Sequence, residues 1–360
     1  MEHPRREPEP FIPAWWCRSG HAQTMWASTL RPSPAIPGCR RERWDTPDGD
    51  FLDLDCVPAE VGRPILVVLH GLESSSRAPQ VHGMLQAAQR HRWRAVALNF
   101  RSCSGEPNRL RRSYHGGETT DVGWVIQRLA DRYPNDPIYG VGWSLGGNVL
   151  LKYMGEAGGA PPMLRAAAAI SAPFDLAASA RAFEESVVTR LYMRRLLRSL
   201  KQKTRAKVGW YPDLLDLRRV EAVQTIRQFD EVVTAPVHGF ASARAYWAAS
   251  SCGPFLASIR RPTLLINALD DPLVPPDGLP RAAVSRNPHL TALFVDAGGH
   301  AGFVSGVQPM QPVWWAERAV FNFFGLPQGV KFSCSKRGNS DKIVTRGDLI
   351  PADRGHSRQG

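Results

Sequence analysis

Gly142-Trp143-Ser144-Leu145-Gly146 follows the apolar run 138–141 and leads into a stretch of helical character over 147–153. A serine between two glycines at this spacing suits a strand-to-helix turn so tight that side chains at the flanking positions would clash. The strain of such a turn lifts the serine hydroxyl clear of the sheet. The helix that follows directs its partial positive end at that hydroxyl. Further apolar runs at 65–69, 95–100, 166–170, 263–267 and 292–295 alternate with helical stretches. That rhythm predicts an α/β fold, a mostly parallel central sheet with helices on both faces. Residues 41–44 and 51–56 read as antiparallel strands joined by Pro47-Asp48-Gly49. A chain of 360 residues with 43% hydrophobic content can bury one large core.

Two acidic and basic partners for the serine follow in the chain. The strand at 263–267 runs into Ala268-Leu269-Asp270-Asp271-Pro272-Leu273-Val274-Pro275, and the strand at 292–295 into Asp296-Ala297-Gly298-Gly299-His300. Serine, acid and histidine, each just past the end of a predicted strand, resemble the catalytic order of the α/β-hydrolase fold. Ser144 is then the expected nucleophile and His300 the general base and later acid. Asp271 is expected to orient the imidazole. Asp270 competes for that role. The acid-Pro-x-Val-Pro shape favours Asp271 and leaves Asp270 to cap the turn.

A tetrahedral oxyanion needs donors. His70-Gly71-Leu72-Glu73-Ser74-Ser75 turns out of the strand at 65–69. This is the usual place for one donor, with the other on the residue after the nucleophile, so the backbone N–H groups of Leu72 and Leu145 are expected to form the oxyanion hole. His70 is read as a structural imidazole tying loops together.

Ser19-Gly20-His21-Ala22-Gln23-Thr24 resembles the G-H-x-Q-T signature of the YheT-like branch of α/β-hydrolases, relatives of the eukaryotic ABHD lipases. So do residues 99–108 (NFRSCSGEPN) with Tyr114-His115-Gly116-Gly117-Glu118-Thr119. Phe229-Asp230, residues 235–240 (APVHGF), Tyr246 and Ser250-Ser251 extend the likeness. The resemblance covers roughly residues 10–326. It implies a serine carboxylesterase or lipase-type hydrolase with Ser144, Asp271 and His300 in the roles above. Ser102 stands where the family more often has glycine, and Gly116 where it often has serine.

Other residues of these motifs have plainer readings. Gly20, His21, Gln23 and Thr24 could line a pocket, but polar side chains that bond backbone commonly pin an irregular segment, so a strap is the reading adopted. Arg101 and Glu106 are expected to pair structurally, Tyr114 and His115 to shape the pocket wall, and His238 to be an ordinary loop histidine.

The interval between Ala172 and Ile259 is too long for a plain crossover, at roughly ninety residues, and is expected to form a helical cap. Within it, Arg190 to Lys207 carries eight basic residues and no acidic one, with Leu191, Met193, Leu196, Leu197 and Leu200 at helical spacing. A lid helix with a solvated basic face is the reading adopted; peripheral contact with an anionic membrane is the alternative. The expected organisation is a strap at 1–40, a hydrolase domain at 41–326 with the cap inserted at about 175–258, and a disordered basic tail at 327–360.

The net charge of +12 concentrates in that helix and the tail, so a nucleic acid is not expected as a main partner. The six cysteines show no C-x-x-C spacing, which leaves a zinc site or disulfide framework unsupported. The start of the chain lacks a signal-peptide core and no apolar run is long enough to span a bilayer, so cytoplasmic residence is expected. The expected chemistry is hydrolysis of a carboxylic ester, a short-chain ester or monoacylglycerol-like lipid, through an acyl-enzyme on Ser144, with no cofactor and no metal. The alternatives are an acyltransferase using the same residues and a non-catalytic binding protein on the same scaffold.

Overall fold

The main sheet has eight strands: β1 (Arg40–Asp45), β2 (Phe51–Val57), β3 (Ile65–Leu69), β4 (Arg94–Leu98), β5 (Ile138–Trp143), β6 (Leu164–Ile170), β7 (Thr263–Ala268) and β8 (Leu290–Val295). The structure is a computed structural model describing residues 10–156 and 161–325. The tail expected at 327–360 lies outside them, as does Cys334. The strand order is β1-β2-β4-β3-β5-β6-β7-β8; β2 runs antiparallel to β1 and β4, and every other neighbouring pair is parallel. The Thr46 N–H closes the β1–β2 turn on the Asp50 carbonyl at 3.0 Å, and Gly49 takes the φ of 83° that the turn requires.

The five-residue aliphatic run of β3 is explained by burial on both faces. Ile65, Val67 and Leu69 pack into an apolar cluster with Val122, Ile126 and Leu129 of α3 (Thr120–Arg132) and Val149 and Leu150 of α4 (Leu145–Gly155). Leu66 and Val68 point the other way, into a cluster with Val81, Met84 and Leu85 of the helix Pro79–Arg90 and with Ala319 and Val320 of the helix Trp315–Phe324. β4 stops two residues before the end of the apolar run at 100. The Asn99 side chain leaves the ladder and binds the Asp53 carbonyl and the Ser76 N–H, at 3.0 and 2.9 Å.

Between β6 and β7 the chain builds a helical cap with its own core. Its first helices are α5 (Leu176–Glu185) and α6 (Val187–Trp210). α6 begins with a reciprocal cap, in which Ser186 Oγ accepts from the Thr189 N–H and Thr189 Oγ1 from the Ser186 N–H, both at 3.1 Å. Phe183, Met193, Leu197, Val220, Phe229 and Val233 pack together in the cap, and Leu273 joins them from the loop after β7. The basic residues of α6 do not form one solvated face, as the spacing predicts. Arg194, Arg195 and Arg198 face solvent, whereas Lys207 is buried and Lys203 half-buried beneath the helix. Leu191, expected on the apolar side, is 55% exposed.

Candidate active site

The parallel strands deliver their C-terminal ends to one edge of the sheet, and the turns that carry chemistry collect there. Ser144 follows β5 directly, with φ 51° and ψ −120°, and α4 starts at the next residue. The flanking glycines follow from distances. A Cβ on Gly142 would lie 2.3 Å from the Gly146 carbonyl oxygen, and one on Gly146 would lie 2.5 Å from that of His70. No side chain fits at either place. The Ser144 N–H is held by the Ile170 carbonyl at 2.8 Å, which ties the turn to β6.

His300 Nε2 lies 2.8 Å from Ser144 Oγ, and His300 Nδ1 lies 2.9 Å from Asp271 Oδ2 and 3.1 Å from Oδ1. An ionised carboxylate only accepts, so Nδ1 carries the proton, which leaves Nε2 free to accept from the serine hydroxyl. The Asp271 side chain is fully buried, and its Oδ1 also accepts from the N–H groups of Leu273 and Val274 at 2.8 and 3.1 Å. Asp270 turns elsewhere. Its Oδ1 accepts from the Gly299 N–H at 2.8 Å, and burial, with the neighbouring charge of Asp271, raises its pKa.

Two supports of His300 escape a reading by motif alone. Thr24 Oγ1 accepts from the His300 N–H at 2.8 Å while donating to the Gly20 carbonyl at 2.7 Å. Ser171 Oγ accepts from the Ala301 N–H at 2.9 Å. Gln23 completes the strap, accepting from the Val304 N–H at 2.6 Å and donating to the Val304 carbonyl at 3.0 Å. The motif Gly20-His21-Ala22-Gln23-Thr24 therefore straps down the histidine loop itself. Its order in the sequence signals a fixed segment; what it fixes lies 276 residues away.

His70 is buried and neutral: burial pushes its pKa down to about 4. Phe100 N–H donates to its Nε2 at 3.1 Å, so the proton sits on Nδ1 and is given to the Gly71 carbonyl at 2.7 Å. This fixes the Gly71–Leu72 peptide, whose other end is the Leu72 N–H. Among the described residues neither the Leu72 nor the Leu145 N–H has a protein acceptor, and both residues line the same cavity as Ser144 and His300.

That cavity measures about 150 Å³ and lies between sheet edge and cap. Leu176, Phe183, Ile226, Phe229 and Val233 supply much of its wall. Tyr114 and His115 line it too, and so does His238, whose Nδ1 lies 2.8 Å from the Thr234 carbonyl. Ionisable groups, Asp230, Lys207 and His115 among them, interrupt the apolar wall. Burial holds Asp230 up at about 6, offset in part by the Thr234 hydroxyl and the Trp247 indole that donate to it. Burial brings Lys207 down to about 8 while it donates to the Asn108 and Leu110 carbonyls. His115 is brought down to about 3 by burial and by His238.

Arg101 and Glu106 do not pair. Arg101 is enclosed by Asp121, Asp50 and Asp48 at 2.7, 2.8 and 3.1 Å, whereas Glu106 meets Arg43 at 2.7 Å. Ser102 has φ 64°, a left-handed conformation that favours glycine, and its hydroxyl offsets part of the cost by bonding Asn108 Oδ1 at 2.6 Å. Among the described residues no cluster of His, Cys, Asp and Glu is placed to hold a metal ion, and the five described cysteines are free.

A family model described as the alpha/beta hydrolase fold matches residues 64–307. The chain is 38% identical over 315 residues to "Putative esterase YheT" of Escherichia coli K12, covering 86% of this chain and 91% of that protein. It is 28% identical to human "Phospholipase ABHD3", covering 85% of this chain and 76% of that one. It is 30% identical to the "Monoacylglycerol lipase" of Saccharomyces cerevisiae, covering 77% of this chain and 62% of that one. In fold it is similar to an esterase of Pyrococcus furiosus, with a TM-score of 0.50 at 17% identity over 75% of this chain and 89% of that chain.

Proposed function

The chain belongs to the α/β-hydrolase family, and from that premise we propose that it cleaves carboxylic esters through an acyl-enzyme on Ser144. The observation that carries this reading is the relay Ser144–His300–Asp271 at the wall of a mainly apolar cavity. His300 Nε2 takes the hydroxyl proton as Ser144 Oγ attacks the acyl carbonyl. The Leu72 and Leu145 N–H groups receive the oxyanion, and the positive end of α4 adds to them. Collapse of the tetrahedral species breaks the ester C–O bond, and His300 returns the proton to the departing alcohol. Water then repeats the sequence on the acyl-enzyme and releases the acid.

The proposed substrate is a short-chain ester or a monoacylglycerol-like lipid. The names of the relatives, a putative esterase, a phospholipase and a monoacylglycerol lipase, agree with ester cleavage. The cap at about 175–258, inserted in a hydrolase domain at 41–326 behind a strap at 1–40, closes over the acyl chain. The decisive experiment is fluorophosphonate labelling of wild type and Ser144→Ala, with turnover of p-nitrophenyl esters of graded length. Labelling and turnover lost together in the variant support the reading. Turnover that survives Ser144→Ala sinks it.

The outer face of α6 supports a second element of this reading, contact with an anionic membrane surface. Arg194, Arg195 and Arg198 are exposed there, and Val187, Val188 and Leu191 are exposed on the same helix. Among the described residues no helix is long and apolar enough to cross a membrane, so such contact would be peripheral. Vesicles containing phosphatidylglycerol should sediment the protein in low salt and release it in high salt. Binding that survives Arg194→Gln, Arg195→Gln and Arg198→Gln together removes this element.

A further inference from the structure

Glu73 follows Leu72 directly and stands at φ 52°, in the left-handed region that residues with a side chain rarely occupy. Its side chain is 1% exposed. The carboxylate is nonetheless fully engaged: it accepts from the Tyr114 hydroxyl at 2.7 Å, the Ser199 hydroxyl at 2.5 Å and the Lys203 ammonium at 3.0 Å. The Glu73 N–H donates back to Tyr114 Oη at 2.9 Å. Ser199 and Lys203 are four residues apart on α6, hence on one face of the cap's longest helix. Two of the three donors to this buried carboxylate therefore come from the cap. A strained backbone conformation persists only where its surroundings over-determine it, and here the cap supplies much of that constraint.

We infer that Glu73 is a positioning residue that makes the oxyanion donor of the turn conditional on docking of the cap. Leu72 sits between two clamps. His70 holds the Gly71 carbonyl from the core side, and the Glu73 carboxylate is bolted to α6 from the cap side. With α6 seated, the turn keeps its left-handed form and the Leu72 N–H stays on the cavity wall near Ser144. With α6 displaced, the carboxylate loses Ser199 and Lys203 together. A carboxylate left in an apolar site without its cation either takes up a proton or moves to water, and in both cases the turn loses the contacts that hold it and relaxes. The serine and histidine stay in place while the oxyanion loses one donor. The cap thus controls stabilisation of the transition state as well as access to the cavity.

This inference rests on the assignment of Ser144 as nucleophile and Leu72 as oxyanion donor. The test compares wild type with Ser199→Ala/Lys203→Met by kcat and KM on p-nitrophenyl butyrate, and by inhibition with an alkyl trifluoromethyl ketone that forms a tetrahedral oxyanion on serine. Loss of a whole oxyanion donor costs about 10²–10³ in kcat, so a loosened one should cost about tenfold, with KM within about twofold. The inhibition constant of the ketone should rise by the same factor, and Lys203→Arg, which keeps a cation beside Glu73, should keep most of kcat. A folded double variant with wild-type kcat and ketone inhibition, or one in which only KM rises, overturns the inference. If the double variant fails to fold, Ser199→Ala alone carries the test, with an expected loss of about threefold in kcat, and unchanged kcat and ketone inhibition there overturns it. Failure of the underlying reading is distinct: turnover of wild type would then persist in Ser144→Ala.

Discussion

The loop that carries His300 and the turn that carries Leu72 face the same cavity as Ser144, and each is held by a segment from outside the sheet. The supports differ in kind. The strap holds His300 through neutral groups, the Thr24 hydroxyl and the Gln23 amide on backbone partners. The cap holds the turn after β3 through a buried carboxylate and an ammonium, Glu73 and Lys203. A neutral hydrogen bond that is lost leaves one donor unsatisfied, at a cost of about 1–3 kcal/mol. A buried charge that loses its partner must either take up a proton or move to water. The strap is therefore a graded support and the cap a nearly all-or-none one.

The largest effect separates the two neighbouring acids on the His300 side. Asp271→Asn can present a donor to Nδ1 and disturb the tautomer, so kcat should fall about 10⁴-fold with KM little changed. Asp270→Asn keeps an acceptor for the Gly299 N–H and should lose at most about tenfold. Comparable losses from the two substitutions would show that Asp270 shares the orienting role. Steady-state kinetics on one ester decide it.

The next effect concerns the core-side clamp of the turn, His70, and shows in stability. Its pKa in the folded protein is about 4, below the unfolded reference of 6.5. Unfolding therefore takes up a proton between these values, and the stability that neutral His70 supplies is present above about pH 6.5 and lost as pH falls toward 4. The full span is worth about 3 kcal/mol. Urea unfolding of wild type and His70→Gln at pH 7.5 and pH 4.5 should show wild type the more stable at the higher pH and the gap narrowed at the lower. A gap that is constant with pH would mean that the imidazole takes up its proton equally readily in the folded and the unfolded chain.

A double-mutant cycle sharpens the contrast between supports. Glu73→Gln and Lys203→Met, singly and together, should show a coupling of about 1–2 kcal/mol in unfolding free energy, because removing the second partner relieves what the first removal stranded. Independent effects would make the cap contact as graded as the strap. The smallest expected change is Thr24→Val, which removes the acceptor of the His300 N–H while keeping the shape, for about 1 kcal/mol of stability and a few-fold in kcat. Thr24→Ser should restore both.

Much of the frame is legible in the sequence because two-sided burial writes itself as unbroken apolar runs. β3, β5 and β7 are visible for that reason. The end of β4 is not, since Asn99 continues no obvious break and leaves the ladder only because Asp53 and Ser76 offer it partners. The order of Ser144, Asp271 and His300 is legible through the turn chemistry that surrounds each of them. The Arg101–Glu106 pair suggested by proximity fails because the partners that enclose Arg101 come from residues 48, 50 and 121. Lys203 and Lys207 read as solvent-facing for a similar reason. Charge in a helix signals exposure unless a buried acceptor awaits it, and Glu73 and the carbonyls of Asn108 and Leu110 are invisible from within α6.

The hydrogen bond from His300 to Thr24 joins residues 276 positions apart, and this bears on how the protein comes into being. A chain emerging from the ribosome can form the β3–β5 region and the turn at Ser144 well before the histidine exists. The imidazole becomes fully supported only when the segment around Thr24 meets one made 276 residues later. A partly made chain can hold Ser144 in its turn while its imidazole partner is still missing. The same geometry makes the early segment a point of vulnerability: a cut between the strap and β1 would leave the support of His300 held by non-covalent contacts alone.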